Sequence, residues 1–200
     1  MADFHTQNPT HSTTTSLIAD LQALSPQRWD SFVRVYSPLL VFWIRAEKLP
    51  TLAHDEVLQE SLRTMYSGIG NFKRTDNNGS FRGWLRTIVR RRVSDYHRQS
   101  AKSLPVQDFV LNEISAPCES QESQEVDHSE SQVVRDVVAR ACEVVRQSVQ
   151  PQTWRMFELT VLESRPAHEV AQFLNVSAPN VRMAKARVMK QLRELLVDFG

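Results

Sequence analysis

The sequence predicts an all-α protein built as two small helical domains joined by a flexible acidic linker. Three observations carry that expectation. Apolar residues return every three to four positions along most of the chain, which is the repeat of a helix face and not of a strand. Glycine is scarce, five in 200 residues, while Leu, Val, Arg, Gln and Glu are plentiful. Charge is segregated as well. A net charge of +1 hides a block over 63–102 with ten Lys and Arg against Asp76 and Asp95, a local +8. The next stretch, 104–134, has acids and no Lys or Arg.

Residues 1–16 are rich in Thr, His, Asn and Ser and offer nothing to bury, so a disordered tail is expected there. Leu17, Ile18, Leu21 and Leu24 then mark a short amphipathic helix. Ser25-Pro26 is a start signal, a cap followed by proline at the first helical position. Behind it Trp29, Phe32, Val33, Tyr36, Leu39, Leu40 and Trp43 form an aromatic-rich core stripe, with a bend expected at Pro38. After the Leu49-Pro50 break, Val57, Leu58, Leu62, Met65 and Tyr66 are the buried face of a helix over 53–68. Asp55, Glu56, Gln59 and Glu60 lie on its other faces. They read either as solvated groups favoured near the positive end of the helix or as a docking face for a basic partner.

The loop over 70–79 is dense in turn formers, and Ser80 caps a helix over 81–98. Phe81, Trp84, Leu85, Ile88, Val89 and Tyr96 face inward; Arg82, Arg86 and Arg90 share one row, with Arg91, Arg92, His97 and Arg98 toward the far end. A helix carrying one sign of charge repels itself, so an anionic partner is the economical explanation. Phosphate neutralisation by such residues gives affinity that falls steeply with salt. In the loop, Phe72 offers a stacking ring and Asn77 and Asn78 offer edge-reading amides for unstacked bases, beside Lys73 and Arg74.

Over 103–131, Asp108, Glu113, Glu119, Glu122, Glu125, Asp127 and Glu130 accompany Pro105 and Pro117, the composition of an extended tether. A second reading is that the tether folds back on a basic surface and competes with DNA. Helical spacing resumes with Val133, Val134, Val137, Val138, Ala141, Val144 and Val145. Pro151 opens another helix, with Trp154, Phe157, Val161 and Leu162 expected inside. Over 166–193 two helical segments flank a tight turn. Ala171 is the small residue at their crossing, Asn175 tolerates the left-handed turn, and Ser177 and Pro179 open the second segment. Val181, Ala184 and Val188 face inward, leaving Arg182, Lys185, Arg187, Lys190 and Arg193 outside. This is the build of a helix-turn-helix that reads duplex DNA; the plainer reading is a helical hairpin with a solvated basic face.

Cys118 and Cys142 lack zinc-site spacing, no apolar run reaches membrane-spanning length, and the first residues lack the build of a signal peptide. A cytoplasmic protein without metal or cofactor is expected, and one with no catalytic residues. A stand-alone helix-turn-helix regulator would need neither the acidic face nor the basic helix. A recombinase would need a nucleophile, yet Tyr96 sits on the apolar stripe and no Ser is set among acid–base partners.

The two halves together resemble the extracytoplasmic-function (group IV) sigma-70 family of RNA polymerase sigma factors. His54-Asp55-Glu56-Val57-Leu58-Gln59-Glu60-Ser61-Leu62 resembles region 2.2, and Phe81-Arg82-Gly83-Trp84-Leu85-Arg86-Thr87-Ile88-Val89-Arg90 resembles the region 2.3–2.4 helix. Arg155-Met156-Phe157-Glu158-Leu159 and Glu169-Val170-Ala171-Gln172-Phe173-Leu174 resemble region 4.1 and the opening of region 4.2. The resemblance implies region 2 over 17–102 and region 4 over 132–200. It implies that Asp55, Glu56, Gln59 and Glu60 dock on the β′ clamp helices of core RNA polymerase, with the β flap as a second contact. Phe72, Lys73, Arg74, Asn77, Asn78, Arg82, Arg86, Arg90, Arg91 and Arg98 would hold the −10 element. Ser177, Asn180, Arg182, Lys185, Arg187 and Lys190 would approach the −35 duplex. An anti-sigma factor is a further implied partner. Leu58 and Ser61 depart from the commoner choices in region 2.2, and Asn175 stands where many relatives have glycine.

Overall fold

A computed structural model describes residues 16–73, 80–103 and 124–199. The protein is all-α, with no strand among the described residues. The helices are α1 (Ser16–Gln22), α2 (Pro26–Ala46), α3 (His54–Gly68), α4 (Phe81–Ser103), α5 (Gln124–Ser148), α6 (Pro151–Phe157), α7 (Ala167–Phe173) and α8 (Ala178–Leu195).

Helix α2 is the hub, packing on α3, α4 and α5. Its stripe is buried as Phe32, Val35, Tyr36, Leu39, Leu40, Trp43 and Ile44. The helix continues through Pro38, and the Ser37 hydroxyl donates to the Val33 carbonyl in the turn that the proline disturbs. Leu17, Ile18 and Leu21 of α1 are buried as expected, whereas Leu24 is exposed. Leu24 has φ 53°, so it reverses the chain after α1 and no longer follows the helix face.

In α3 the buried set is Val57, Ser61 and Met65, flanked by half-buried Leu58 and Leu62. Ser61 is tolerated at this depth because its hydroxyl donates to the Val57 carbonyl at 2.7 Å. Tyr66 is exposed on one side while its ring meets Trp29 edge-on at 5.0 Å. The N-cap expected at Ser80 is made: the Gly83 N–H donates to its hydroxyl at 3.0 Å. Phe81, Leu85, Ile88, Val89 and Val93 line the buried face of α4, and Trp84 and Tyr96 pack at its edge.

Helix α5 begins at Gln124, well before Val133, the residue at which apolar spacing resumes, so part of the acidic stretch is helical. Beyond α6, a single π-turn over Glu158–Leu162 alters the face. Its extra residue per turn rotates the chain beyond it, which buries Leu159 and leaves Leu162 61% exposed instead of inside. Helices α7 and α8 meet over Val170, Ala171, Val181 and Ala184, with Met156 and Leu159 beneath. Asn175 has φ 52°, the left-handed turn expected of it, and the Ser177 hydroxyl accepts from the Asn180 N–H at 3.4 Å.

Apart from that small cluster, one continuous apolar core joins α1–α4 to α5, α6 and the far end of α8. Val137, Ala141 and Val145 of α5 and Val188, Leu192 and Leu195 of α8 belong to it alongside the α2 stripe.

Candidate nucleic-acid and polymerase interfaces

Three polar surfaces stand on this frame. The first is the start of α3. Asp55, Glu56 and Gln59 are exposed, with Asp55 and Glu56 in the first helical turn, where the helix dipole favours carboxylates. Leu52, in the preceding 3₁₀ turn, is 96% exposed beside them. Glu60 differs from the other three, being half-buried and paired with Arg63. Glu56 and Glu60 also line a hollow of about 270 Å³ between α3 and α4, opposite Arg92, Asp95, Tyr96 and Gln99.

The second surface is α4. Arg86, Arg90 and Arg91 are exposed, and no acid pairs with them among the described residues. Arg90, Arg91 and Arg92 border an open hollow of about 420 Å³ with Thr87, Ser94 and Asp95. Arg98 is exposed but pairs with Asp95 at 2.6 Å, and Asp95 also holds Arg92 at 3.2 Å. Among the described residues of α4, free positive charge is therefore concentrated on Arg86, Arg90 and Arg91.

Two further residues expected to hold nucleic acid here are engaged within the fold. Phe72 is 6% exposed, its ring 5.5 Å from Phe81 and 5.2 Å from Trp84, so it belongs to the core and is no free stacking platform. An apolar ring gains more from that burial than a polar loop suggests. Arg82 is only 27% exposed and pairs with Glu130 of α5, and its backbone N–H donates to Asp198 Oδ2 at 3.2 Å. Lys73 is exposed, while Arg74, Asn77 and Asn78 lie outside the described residues.

The third surface is the outer face of α8. Asn180, Arg182, Lys185, Arg187 and Lys190 are exposed along it, and none is ion-paired among the described residues. Ser177 is exposed at the head of the helix, where its hydroxyl serves as the cap. On α7, Phe173 is exposed and carries the Arg165 guanidinium 5.0 Å from its ring centroid.

The Glu130–Arg82 pair joins the described end of the acidic stretch to the head of α4. Sequence alone does not single out Glu130, Tyr36, Asp198 or Phe199 for function. Only the segregation of charge hints at Glu130.

No helix among the described residues is long and apolar enough to cross a membrane, and no group of three or more His, Cys, Asp or Glu there is placed to hold a metal ion. Residues 32–103 match the Sigma-70 region 2 family. No curated protein matches the chain's sequence. Among solved structures, one titled "Structure of CnrH in complex with the cytosolic domain of CnrY" is 17% identical over 90% of this chain and 94% of the other. Its TM-score of 0.36 is too low to inform the arrangement of the helices here.

Proposed function

We propose, from the match of residues 32–103 to the Sigma-70 region 2 family, that the chain is a sigma-70 family transcription initiation factor of group IV. It would bind core RNA polymerase, recognise −35 and −10 promoter elements and promote DNA melting. The observation that carries this reading is the pairing of an acid-tipped α3 and an arginine-lined α4 with a basic α8 in a helix-turn-helix setting. The sequence between α4 and α5, residues 104–123, is too short to be a further domain, which favours region 4 following region 2 with no domain between them.

In this reading the polymerase performs the bond-making chemistry, and this chain biases where it starts. Asp55, Glu56 and Gln59 meet the β′ clamp helices, while Leu162 and Phe173 are exposed apolar groups suited to the β flap. Arg86, Arg90 and Arg91 neutralise phosphates of the melted −10 strand. Asn180, Arg182 and Lys185 reach the −35 duplex from the first turns of α8. A few base contacts, each worth about 1–3 kcal/mol, suffice to separate promoter from random DNA. Holding an extruded base offsets part of an unstacking cost of a few kcal/mol.

Run-off transcription with core polymerase and genomic fragments tests the proposal. Defined start sites that appear only when this chain is added are expected, and a chain that shifts duplex DNA but never programmes the polymerase would instead be a helix-turn-helix regulator. The α4 surface has its own test. Changing Arg86 and Arg90 to Ala is expected to make the salt dependence of −10 strand binding shallower by about 1.4 in log–log slope, at about 0.7 per phosphate contact on a single strand. An unchanged slope would place those phosphates elsewhere.

A further inference from the structure

After α8 the chain turns back toward α2 and α4. Asp198 has φ 64°, a left-handed conformation that Asp adopts more readily than most residues. The Tyr36 hydroxyl, buried under this segment, donates toward the carbonyls of Leu195 at 3.1 Å and Val197 at 3.3 Å. Burial pushes the Tyr36 pKa up, so the phenol stays protonated and able to donate. The Phe199 ring lies 5.8 Å from that of Tyr36 and 5.3 Å from the Arg82 guanidinium carbon, which is also 6.0 Å from the Trp43 ring. With the Asp198 carboxylate on the Arg82 N–H and Glu130 on its guanidinium, Arg82 is held by backbone, carboxylate and aromatic contacts together.

We propose that residues 195–199 are an intramolecular ligand, seated on Tyr36, Trp43 and Arg82, that competes with nucleic-acid phosphate for the head of α4. This rests on the sigma-factor reading for the identity of the competing strand. An acidic and aromatic segment on an arginine flanked by aromatic rings imitates what a single-stranded nucleic acid presents, a negative group beside a flat ring. The seat also ties the far end of α8 to α2. Elements whose names place them about 25 base pairs apart lie about 85 Å apart on B-DNA at roughly 3.4 Å per pair. Helix α8, of 18 residues, is about 27 Å long at 1.5 Å per residue. With its far end seated in the α2 core, α8 holds its DNA-facing head within about one helix length of that core, so this closed form does not reach both elements, and the segment must leave its seat for the full promoter to be engaged. The Asp55–Gln59 face stays exposed throughout, so polymerase can bind the closed form.

The test compares the full chain with an Asp198→Ala/Phe199→Ala variant, using a fluorescent single-stranded −10 oligonucleotide at fixed low salt. The variant is expected to bind about tenfold more tightly, and adding Arg82→Ala is expected to remove that gain. Asp198→Asn, which retains a residue tolerant of the left-handed backbone, is expected to give a smaller gain in the same direction. Unchanged affinity in variants whose urea midpoints show them folded would overturn the proposal, as would a gain that survives Arg82→Ala. Failure of the wild-type chain to programme polymerase in run-off assays would sink the sigma-factor reading instead, and is scored separately.

Discussion

Phe81→Ala is expected to remove a large part of the protein's stability. The Phe81 side chain is fully buried where α4 begins, with ring centroids of Phe32, Tyr36, Phe72 and Trp84 between 5.5 and 6.0 Å away. Truncating a buried phenylalanine costs about 3–5 kcal/mol, from lost transfer energy and the cavity left behind. Typical domains have only about 5–15 kcal/mol to lose. Four rings converge on this one, so neighbouring side chains have little freedom to collapse into the gap, and a value toward the upper end is expected. Urea denaturation followed by circular dichroism gives the measurement. A loss below about 1 kcal/mol would mean that the aromatic cluster is not the anchor of α4. Binding of the −10 strand should fall in parallel, because Arg86, Arg90 and Arg91 depend on that helix for their spacing.

The anchor role of Phe81 is legible from sequence because the residue follows a Ser cap and opens a stripe with helical spacing. The same reasoning finds the α2 stripe, the left-handed Asn175 and the Ala171 crossing. It fails at Phe72, where a ring among Gly, Asn and Lys reads as a free stacking group. Nothing local says that Phe81 and Trp84 lie across from it. It fails at Leu162 because a π-turn leaves no mark in the apolar spacing upstream of itself. The joining of the two halves is also out of reach. Val137, Ala141 and Val145 announce a buried face without naming its partner, and that partner is the core around α2, not α6 to α8 alone. Periodicity reports that a face is covered, while long-range pairing depends on shapes that single residues do not encode.

Asp55→Lys is expected to weaken association with core polymerase about a hundredfold while leaving the fold in place. Asp55 is exposed and makes no packing contact that the core needs, so Lys in its place forfeits a favourable interaction with the helix dipole and adds an unfavourable one, each about 0.3–1 kcal/mol. That loss leaves a domain of ordinary stability almost wholly folded. On the proposed docking to a basic partner surface, the change swaps an attraction for a repulsion, and like charges brought together across an interface cost several kcal/mol. At about 1.4 kcal/mol per factor of ten, about 3 kcal/mol corresponds to the expected hundredfold. Glu60→Lys makes the contrast. Glu60 is half-buried against Arg63 and the α3–α4 hollow, so its replacement should act more on local stability and less on docking than that of Asp55. Pull-down titrations with core polymerase, alongside urea midpoints for both variants, separate the two effects. Equal affinity for wild type and Asp55→Lys would remove the start of α3 from the polymerase interface. A loss matched by Glu60→Lys at unchanged stability would move its centre toward the hollow beside Arg92.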